Sequence, residues 1–203
     1  FRVEVQALSR VLHHTGLGVT LTAIADAVVR AVHRLTISDM QRRHGHIKGE
    51  SALMALGRQG IGTLTAQSDL DLVAVYNADE DAMSDGSPSI GAATYFARQT
   101  QTLVNWLSSF SAEGHLYEVD MRLRPDGDKA SISVNINRFK DYYADDAWIW
   151  EKLALAKARI ITPSTEAPTL HPRLEKAVTA ITCTPLDARD VGKAIHDMRD
   201  RLR

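Results

Sequence analysis

Apolar residues recur at a helical period over much of the first fifty positions of the chain. In the clearest stretch, residues 21–40, four of them fall on one face of the predicted helix. They are Ile24, Val28, Ala31 and Leu35. We expect Gly16 and Gly18 to break the helical region just before this stretch, because glycine weakens a helix interior. Residues 1–50 are therefore predicted to be a helical segment that packs on the rest of the domain.

Strands are predicted where short apolar runs meet turn residues or alternate with polar positions. These stretches are residues 52–56, 70–76, 115–124 and 132–134. The stretch 115–124 has a period of two, which is typical of a half-exposed strand. One side of it holds Tyr117, Val119, Met121 and Leu123, and the other holds Glu118, Asp120, Arg122 and Arg124.

The other apolar residues recur at helical spacing and predict five helices. A proline-containing linker at 162–172 separates the third predicted helix from the fourth. The helices cover residues 92–110, 139–143, 147–160, 174–181 and 188–203. The third is apolar nearly all round, so we expect it to be buried with Trp148 and Trp150 in the core. The order of elements predicts an α+β fold with a mixed β-sheet flanked by helices, followed by the start of a helical bundle. The predicted units are residues 1–50, a core at 51–165, and a separate packing unit at 166–203.

Composition narrows the possible functions. The net charge of −1 argues against general nucleic-acid binding, which needs a basic excess. The single cysteine, Cys183, excludes an internal disulfide framework and fits a reducing compartment, so we expect a cytoplasmic protein. No apolar stretch is expected to reach membrane-spanning length. The chain begins at Phe1 and stops at Arg203 inside a helical pattern, and we expect it to be a piece of a longer protein.

The second predicted strand opens with the sequence Ser68-Asp69-Leu70-Asp71-Leu72. Aspartate is depleted in strands, so two aspartates on one face require a reason. Their spacing points both carboxylates the same way, about 6 to 7 Å apart along the strand, which suits Mg²⁺ ions that clamp a phosphoryl transfer. On this motif alone, a second interpretation is equally good, in which Asp69 caps a turn and Asp71 lies on a sheet edge.

Asp120 favours the metal interpretation, because it is the only aspartate on the charged side of the predicted strand 115–124. If the two strands are neighbours, Asp120 can join Asp69 and Asp71. Three like charges at one site are costly unless cations neutralise them. The alternative for this strand is a solvated outer face, on which Arg122 and Arg124 are either phosphate clamps or ordinary surface charges.

A glycine cluster, Gly57, Gly60 and Gly62, lies shortly before the aspartate pair. A glycine turn there could bring backbone N–H groups against a triphosphate. The cluster matches neither the G-x-G-x-x-G fingerprint nor the P-loop, so it is a weak signal by itself.

The order of a glycine turn, an Asp-x-Asp strand and a later strand aspartate resembles the polymerase-β-like nucleotidyltransferase superfamily. More narrowly, five stretches are similar to the glutamine synthetase adenylyltransferase family. They are Ala-Leu-Gly-Arg at 55–58, Leu-Thr-Ala-Gln-Ser-Asp-Leu-Asp-Leu at 64–72, Leu-Tyr-Glu-Val-Asp-Met-Arg-Leu-Arg-Pro at 116–125, Ala-Trp-Ile-Trp-Glu at 147–151 and Lys-Ala-Arg at 157–159.

The resemblance implies an ATP-dependent enzyme that moves AMP to a tyrosine of glutamine synthetase, with release of pyrophosphate. Residues 117–120 and 81–86 resemble the attaching, C-terminal module of this family, whose other module removes AMP by phosphorolysis. A PII-type signalling protein is implied as a further partner, through the helices that follow the catalytic core.

Carried over by position, Asp69, Asp71 and Asp120 resemble a triad that holds two Mg²⁺ ions, with Mn²⁺ as an alternative. Gly57, Gly60 and Ser68 resemble the nucleotide-binding turn, and Arg122 is expected to neutralise further charge on the nucleotide. Three more residues match family positions without an assigned role: Glu151, Lys157 and Arg159. For Glu151 and Lys157 the alternative is a polar position satisfied by its neighbours.

The chain departs from the family pattern at Ile61, Asp126 and the pair Ala130-Ser131. A β-branched side chain at Ile61 could crowd the triphosphate. One alternative to the attaching activity is therefore a catalytically weakened domain that docks a partner. A second is the phosphorolytic activity, which would use the same site with phosphate as the attacking group.

Overall fold

A computed structural model describes residues 14–111, 114–127 and 130–185, together with residues 187–189, 191, 192, 194 and 196. The helices are α1 (His14–His44), α2 (Gly57–Gly60), α3 (Ala92–Ser108), α4 (Ile136–Asp141), α5 (Ile149–Leu155) and α6 (Leu170–Thr182), with a π-helical turn at Tyr142–Asp146. The strands are β1 (Gly49–Ala55), β2 (Leu70–Ala78), β3 (Phe110–Ser111), β4 (Gly114–His115), β5 (Val119–Asp120), β6 (Ser133–Asn135) and β7 (Arg159–Ile160). The predicted helix at 188–203 lies largely outside the described residues.

The main sheet is built around β2, whose two edges carry different partners. β1 runs antiparallel along one edge, from the pair Gly49 and Ala78 to the pair Ala55 and Leu72. β5 and then β6 run parallel along the other edge, and β7 pairs with the free edge of β1. β3 and β4 form a separate hairpin. The mixed sheet with flanking helices confirms the predicted α+β class.

Both faces of the sheet are covered, because successive residues of a strand point to opposite sides. Met54 and Val73 belong to a hydrophobic cluster with residues of α4, α5 and α6. Leu53 and Leu72 belong to a second cluster, with residues of α1 and α3. The sequences of β1 and β2 are therefore nearly continuous apolar runs, as expected of strands that are buried on both faces.

Helix α6 packs on this sheet. Its residues Leu170, Leu174 and Ala177 are buried in the same cluster as Met54. The expectation that the helix after the linker belongs to a different packing unit therefore does not hold for α6. The boundaries of the predicted domains stay a prediction.

Helix α1 differs from its prediction in two ways. It is continuous through Gly16 and Gly18, and a Cβ on Gly18 would lie 3.1 Å from the Cα of Thr63, so this glycine lets the helix approach a loop. The predicted stripe is also wrong, since Ile24 and Leu35 are 43% and 58% exposed. The buried face instead mixes apolar with polar residues, namely Thr22, Ala25, Asp26, Val29, His33, Thr36, Asp39, Met40 and His44.

One stretch of α1, within Gly16–His44, is long and apolar enough to cross a membrane, by length and composition only. The expectation that no stretch approaches that length is therefore wrong by this criterion. In the structure α1 packs against α3, and Asp26 and His33 on its buried side have polar partners. These contacts are those of a core helix.

The predicted strand 115–124 is reduced to two residues in the main sheet, Val119–Asp120. The chain turns after Asp120 because its Oδ1 accepts a hydrogen bond from the backbone N–H of Arg122 at 2.8 Å, a local turn that competes with the ladder. Arg124 is buried, and its guanidinium donates to the carbonyls of Met121, Ala130 and Ser131. Arg124 is therefore not an ordinary surface charge.

The predicted helix 147–160 ends at Leu155, and Arg159–Ile160 forms strand β7. The backbone is extended here because it pairs with Met54 and Ala55 of β1. Trp148 lies at the helix start and is 61% exposed, so its predicted place in the core is wrong.

His33 is buried and hydrogen-bonded through Nε2 to Ser51 Oγ at 3.0 Å, and Gln99 donates to the same hydroxyl. Burial lowers the pKa of His33 to about 4, from 6.5. Below about pH 6.5 the unfolded chain binds a proton that the folded chain refuses until about pH 4. As the pH is lowered from about 6.5 to about 4, His33 should therefore reduce the free energy of unfolding, by up to about 1.4 kcal/mol per pH unit.

We expect His33→Gln to flatten this slope in urea unfolding curves recorded between pH 4 and pH 7. His46→Gln removes an exposed histidine and should keep the wild-type slope. An unchanged slope in His33→Gln would contradict the assignment.

Candidate active site

Three carboxylates converge where β2 begins and β5 ends. Asp69 immediately precedes β2, Asp71 is its second residue, and Asp120 is the last residue of β5. The expectation that the two strands are neighbours is confirmed, since β5 pairs parallel to β2 with Asp71 and Asp120 in register. Each aspartate offers one oxygen, and these oxygens lie within 4.8 Å of one another.

The charges in this cluster shift the pKa values of two carboxyl groups in opposite directions. Partial burial raises the pKa of Asp71, and the negative charges of Asp69 and Asp120 raise it further. The hydrogen bonds from the Arg122 side chain hold the pKa of Asp120 below its usual range. The cluster thus carries repulsion that a cation relieves. Arg122 relieves it mainly at Asp120, and its positive charge offsets a smaller part of it at Asp71.

Arg122 reaches Asp120 through the turn after β5. Its Nε lies 3.0 and 2.9 Å from the two carboxylate oxygens, and its Nη2 also contacts Oδ2. The Arg122 side chain is 73% exposed, against 15% for Asp120. An ion pair made by a guanidinium this exposed to water contributes little free energy, so Arg122 can exchange it for another anion at small cost.

The donor set fits a divalent metal ion. Carboxylate oxygens are the hard ligands that Mg²⁺ and Mn²⁺ prefer. Three of them converge here, two from strand residues and one from the residue before β2. The cluster also shows the like-charge repulsion expected of a site that is completed by cations. Asp69, Asp71 and Asp120 are the residues that would hold such an ion.

The glycine turn touches this cluster directly. Gly57 has a φ of +51°, and a Cβ built on it would lie 1.9 Å from Oδ2 of Asp71. The backbone N–H of Leu56 donates to the carbonyl oxygen of Asp71 at 2.9 Å. A side chain at position 57 would therefore displace the Asp71 carboxylate.

Gly60 and Ser68 shape the same region. A Cβ on Gly60 would lie 2.0 Å from the carbonyl oxygen of Lys157, so this glycine permits close packing against the segment before β7. The Ser68 hydroxyl accepts a hydrogen bond from the N–H of Thr65 at 3.0 Å and closes the turn ahead of Asp69. Their predicted contacts with a nucleotide stay a prediction.

The sequence left Arg159 without a role, and the structure gives it one. Its Nη1 and Nη2 lie 2.7 and 3.1 Å from the carboxylate oxygens of Asp26, and it donates to the carbonyl of Gln59. Gln59 donates in turn to Asp26 at 3.0 Å. Arg159 thus ties the glycine turn to α1 and β7. The motif match marked Arg159, but no local pattern pointed to Asp26.

Glu151 is satisfied by its neighbours, as its alternative interpretation predicted. It is buried, accepts from the Tyr142 hydroxyl at 2.8 and 2.9 Å, and accepts from the N–H of Trp148 at 2.8 Å. These bonds cap α5 and anchor it to the π-helical turn. Lys157 is exposed, and its carbonyl oxygen faces Gly60.

An open cavity of about 470 Å³ adjoins the carboxylates. Asp69 and Asp120 line one part of it, and Val104 and Ile132 give it an apolar wall. Glu118 and Arg122 add charged groups. An aromatic side chain or a nucleoside can enter a cavity of this size beside the carboxylates.

Comparison with known proteins identifies relatives of this chain. The family model described as glutamate-ammonia ligase adenylyltransferase matches residues 1–173. A protein of Bartonella quintana named bifunctional glutamine synthetase adenylyltransferase/adenylyl-removing enzyme is 38% identical over 98% of this chain. Proteins with the same name from a Bradyrhizobium strain and from Brucella suis are 37% and 36% identical, over 98% and 100% of the chain. In each case the chain spans only 20% of the relative's length.

Replacement of Gly57 by alanine should disturb both folding and metal binding. The positive φ alone costs about 1 to 2 kcal/mol, and the overlap with the Asp71 carboxylate adds about 1 to 3 kcal/mol. We expect urea unfolding to show the sum, and Mn²⁺ titration to show weaker binding because Asp71 has to move.

Gly62→Ala is the matched control, since Gly62 has a φ of +76° and nothing within 4 Å of a built Cβ. It should show only the conformational cost and keep the Mn²⁺ affinity. Equal losses in both variants would contradict the contact between Gly57 and Asp71.

Proposed function

Because the chain belongs to the glutamate-ammonia ligase adenylyltransferase family, we propose that it is a nucleotidyltransferase domain that moves AMP from ATP to a tyrosine of glutamine synthetase. The observation that carries the proposal is the register of β5 against β2, which brings Asp120 beside Asp69 and Asp71. The names of the relatives point to glutamine synthetase as the protein substrate. The carboxylate cluster supports the transfer reaction, because it can hold the metal ions that such a reaction uses.

In this proposal Asp69, Asp71 and Asp120 hold two Mg²⁺ ions, and Mn²⁺ can replace them. When bound, the ions neutralise charge on the phosphates and align them for in-line displacement. The turn from Gly57 to Gly62, with Ser68 behind it, holds the triphosphate through backbone N–H groups. Ile61 is 53% exposed, and no core packing fixes its side chain over the turn.

At the α-phosphorus the reaction breaks one bond and forms one. The tyrosine oxygen forms a bond to the α-phosphorus, and the bond from that phosphorus to the oxygen bridging to the β-phosphate breaks. Pyrophosphate leaves with the electron pair, and the hydroxyl proton passes to a base. By position Asp120 is the base, because it lines the cavity that can admit the tyrosine.

Arg122 sets a condition on this role, since its hydrogen bonds lower the pKa of Asp120 and make it a poor base. We therefore include in the proposal a movement of Arg122 from Asp120 to the nucleotide phosphates. That movement would raise the basicity of Asp120 and bring a cation to the phosphates.

The relatives' name joins two activities, so the phosphorolytic reaction is a second candidate. It would use the same carboxylates with inorganic phosphate as the attacking group, and ADP would leave the protein. We propose a cytoplasmic location for either reaction, and a PII-type signalling protein as a regulator acting through other parts of a longer chain.

Incubation with α-labelled ATP, Mg²⁺ and unmodified glutamine synthetase tests the attaching reaction. We expect label on a tyrosine, and a loss on the order of 10³-fold in Asp69→Asn/Asp71→Asn, because several kcal/mol of charge stabilisation disappears with the ions. Asp79→Asn/Asp81→Asn, in an exposed loop, is the matched control and should retain transfer.

If the folded chain transfers no label, adenylylated glutamine synthetase and phosphate are supplied instead. Release of ADP would assign the removing activity. Absence of both products would contradict the enzymatic proposal.

A further inference from the structure

A second large cavity, of about 540 Å³, lies between α4, the π-helical turn, α5 and α6. It lies on the face of the sheet that these helices cover, and none of its lining residues belongs to the carboxylate site. Tyr143, Ala177, Ala180 and Ile181 contribute apolar surface to it. Since Ala180 is exposed, this groove is open to a partner along α6.

The groove carries charge of one sign. Lys140, Lys152, Arg173 and Lys176 line it, and no carboxylate is among the described residues that do. The whole chain is nearly balanced, with 24 basic and 25 acidic residues, so this segregation departs from the average surface. Positive charges around an apolar surface favour a partner that is negatively charged and has apolar side chains of its own.

These cations are not neutralised within the described part of the chain. Arg173 donates to the amide oxygens of Asn77 at 2.6 Å and Asn137 at 3.1 Å, which hold its guanidinium without removing its charge. The three lysines form no ion pair with a described residue, and Lys140 and Lys176 are exposed. Their charge is therefore available to a binding partner.

We propose that this groove docks an acidic, partly apolar segment of the protein that receives AMP. The inference rests on the proposed function. A specific protein complex buries about 800 Å² on each partner, which a single tyrosine in the cavity beside the carboxylates cannot supply. Lysines at the surface around an open floor suit a protein segment better than a small anion, which needs polar groups fixed inside its site.

Binding to intact glutamine synthetase, measured by fluorescence anisotropy without ATP, tests the docking separately from catalysis. We expect Lys140→Glu/Lys176→Glu to raise Kd about tenfold at low salt, and the difference to shrink at about 0.3 M salt as screening increases. Lys48→Glu reverses an exposed lysine outside the groove and should leave Kd within about twofold.

Ala180→Trp tests the apolar floor without any change of charge. It should weaken binding several-fold at both salt concentrations, because the indole fills the groove, and circular dichroism should show an unchanged fold. Wild-type Kd values in both groove variants, or no binding by the wild-type chain, would overturn the docking proposal.

Two further outcomes separate the proposals. Self-association that disappears in the groove variants would mark an interface between copies of this chain and would contradict a substrate-docking groove. Groove-dependent binding without AMP transfer or phosphorolysis would support docking while contradicting the enzymatic proposal.

Discussion

Mutual repulsion of three carboxylates within 4.8 Å is the constraint on which the site depends. The repulsion would scatter these side chains if the backbone did not hold them, and the parallel pairing of β5 with β2 does so by fixing Asp120 opposite Asp71. Arg122 offsets part of the repulsion from one side. What remains raises the pKa of Asp71 and makes the cluster attractive to a divalent cation.

The close approach of the glycine turn to this cluster has structural consequences far along the chain. Gly57 leaves space for the Asp71 carboxylate, and Gly60 leaves space for the carbonyl of Lys157. Arg159 and Asp26 then bind the turn between β7 and α1. Helix α1, which ends at His44 before the first strand, is therefore part of the support of the site, although no described residue of it lines the carboxylate cavity.

The two faces of the sheet differ in what they bury and expose. The face under α1 and α3 buries polar groups such as His33, which the tertiary structure pairs with Ser51. The opposite face buries a mainly apolar cluster, with Glu151 as a hydrogen-bonded exception, and ends in the basic groove beside α6. Positioning of the reacting groups and recognition of a large substrate can thus be served by separate surfaces that share one sheet.

Sequence alone determined what depends on local period and composition: strand β2, helix α3, the α+β class and the Asp-x-Asp spacing that puts Asp69 and Asp71 on one side. Only the tertiary structure decided that β5 stops at Asp120, that Arg159 lies in a strand, and that α1 buries Asp26 rather than Leu35. The turn after Asp120 depends on a hydrogen bond, the strand at Arg159 on pairing with β1, and the burial of Asp26 on an ion pair. Neither the period nor the composition of the sequence encodes these interactions. Local periodicity reports which side chains share a face, whereas burial of a polar face depends on partners that only folding brings together.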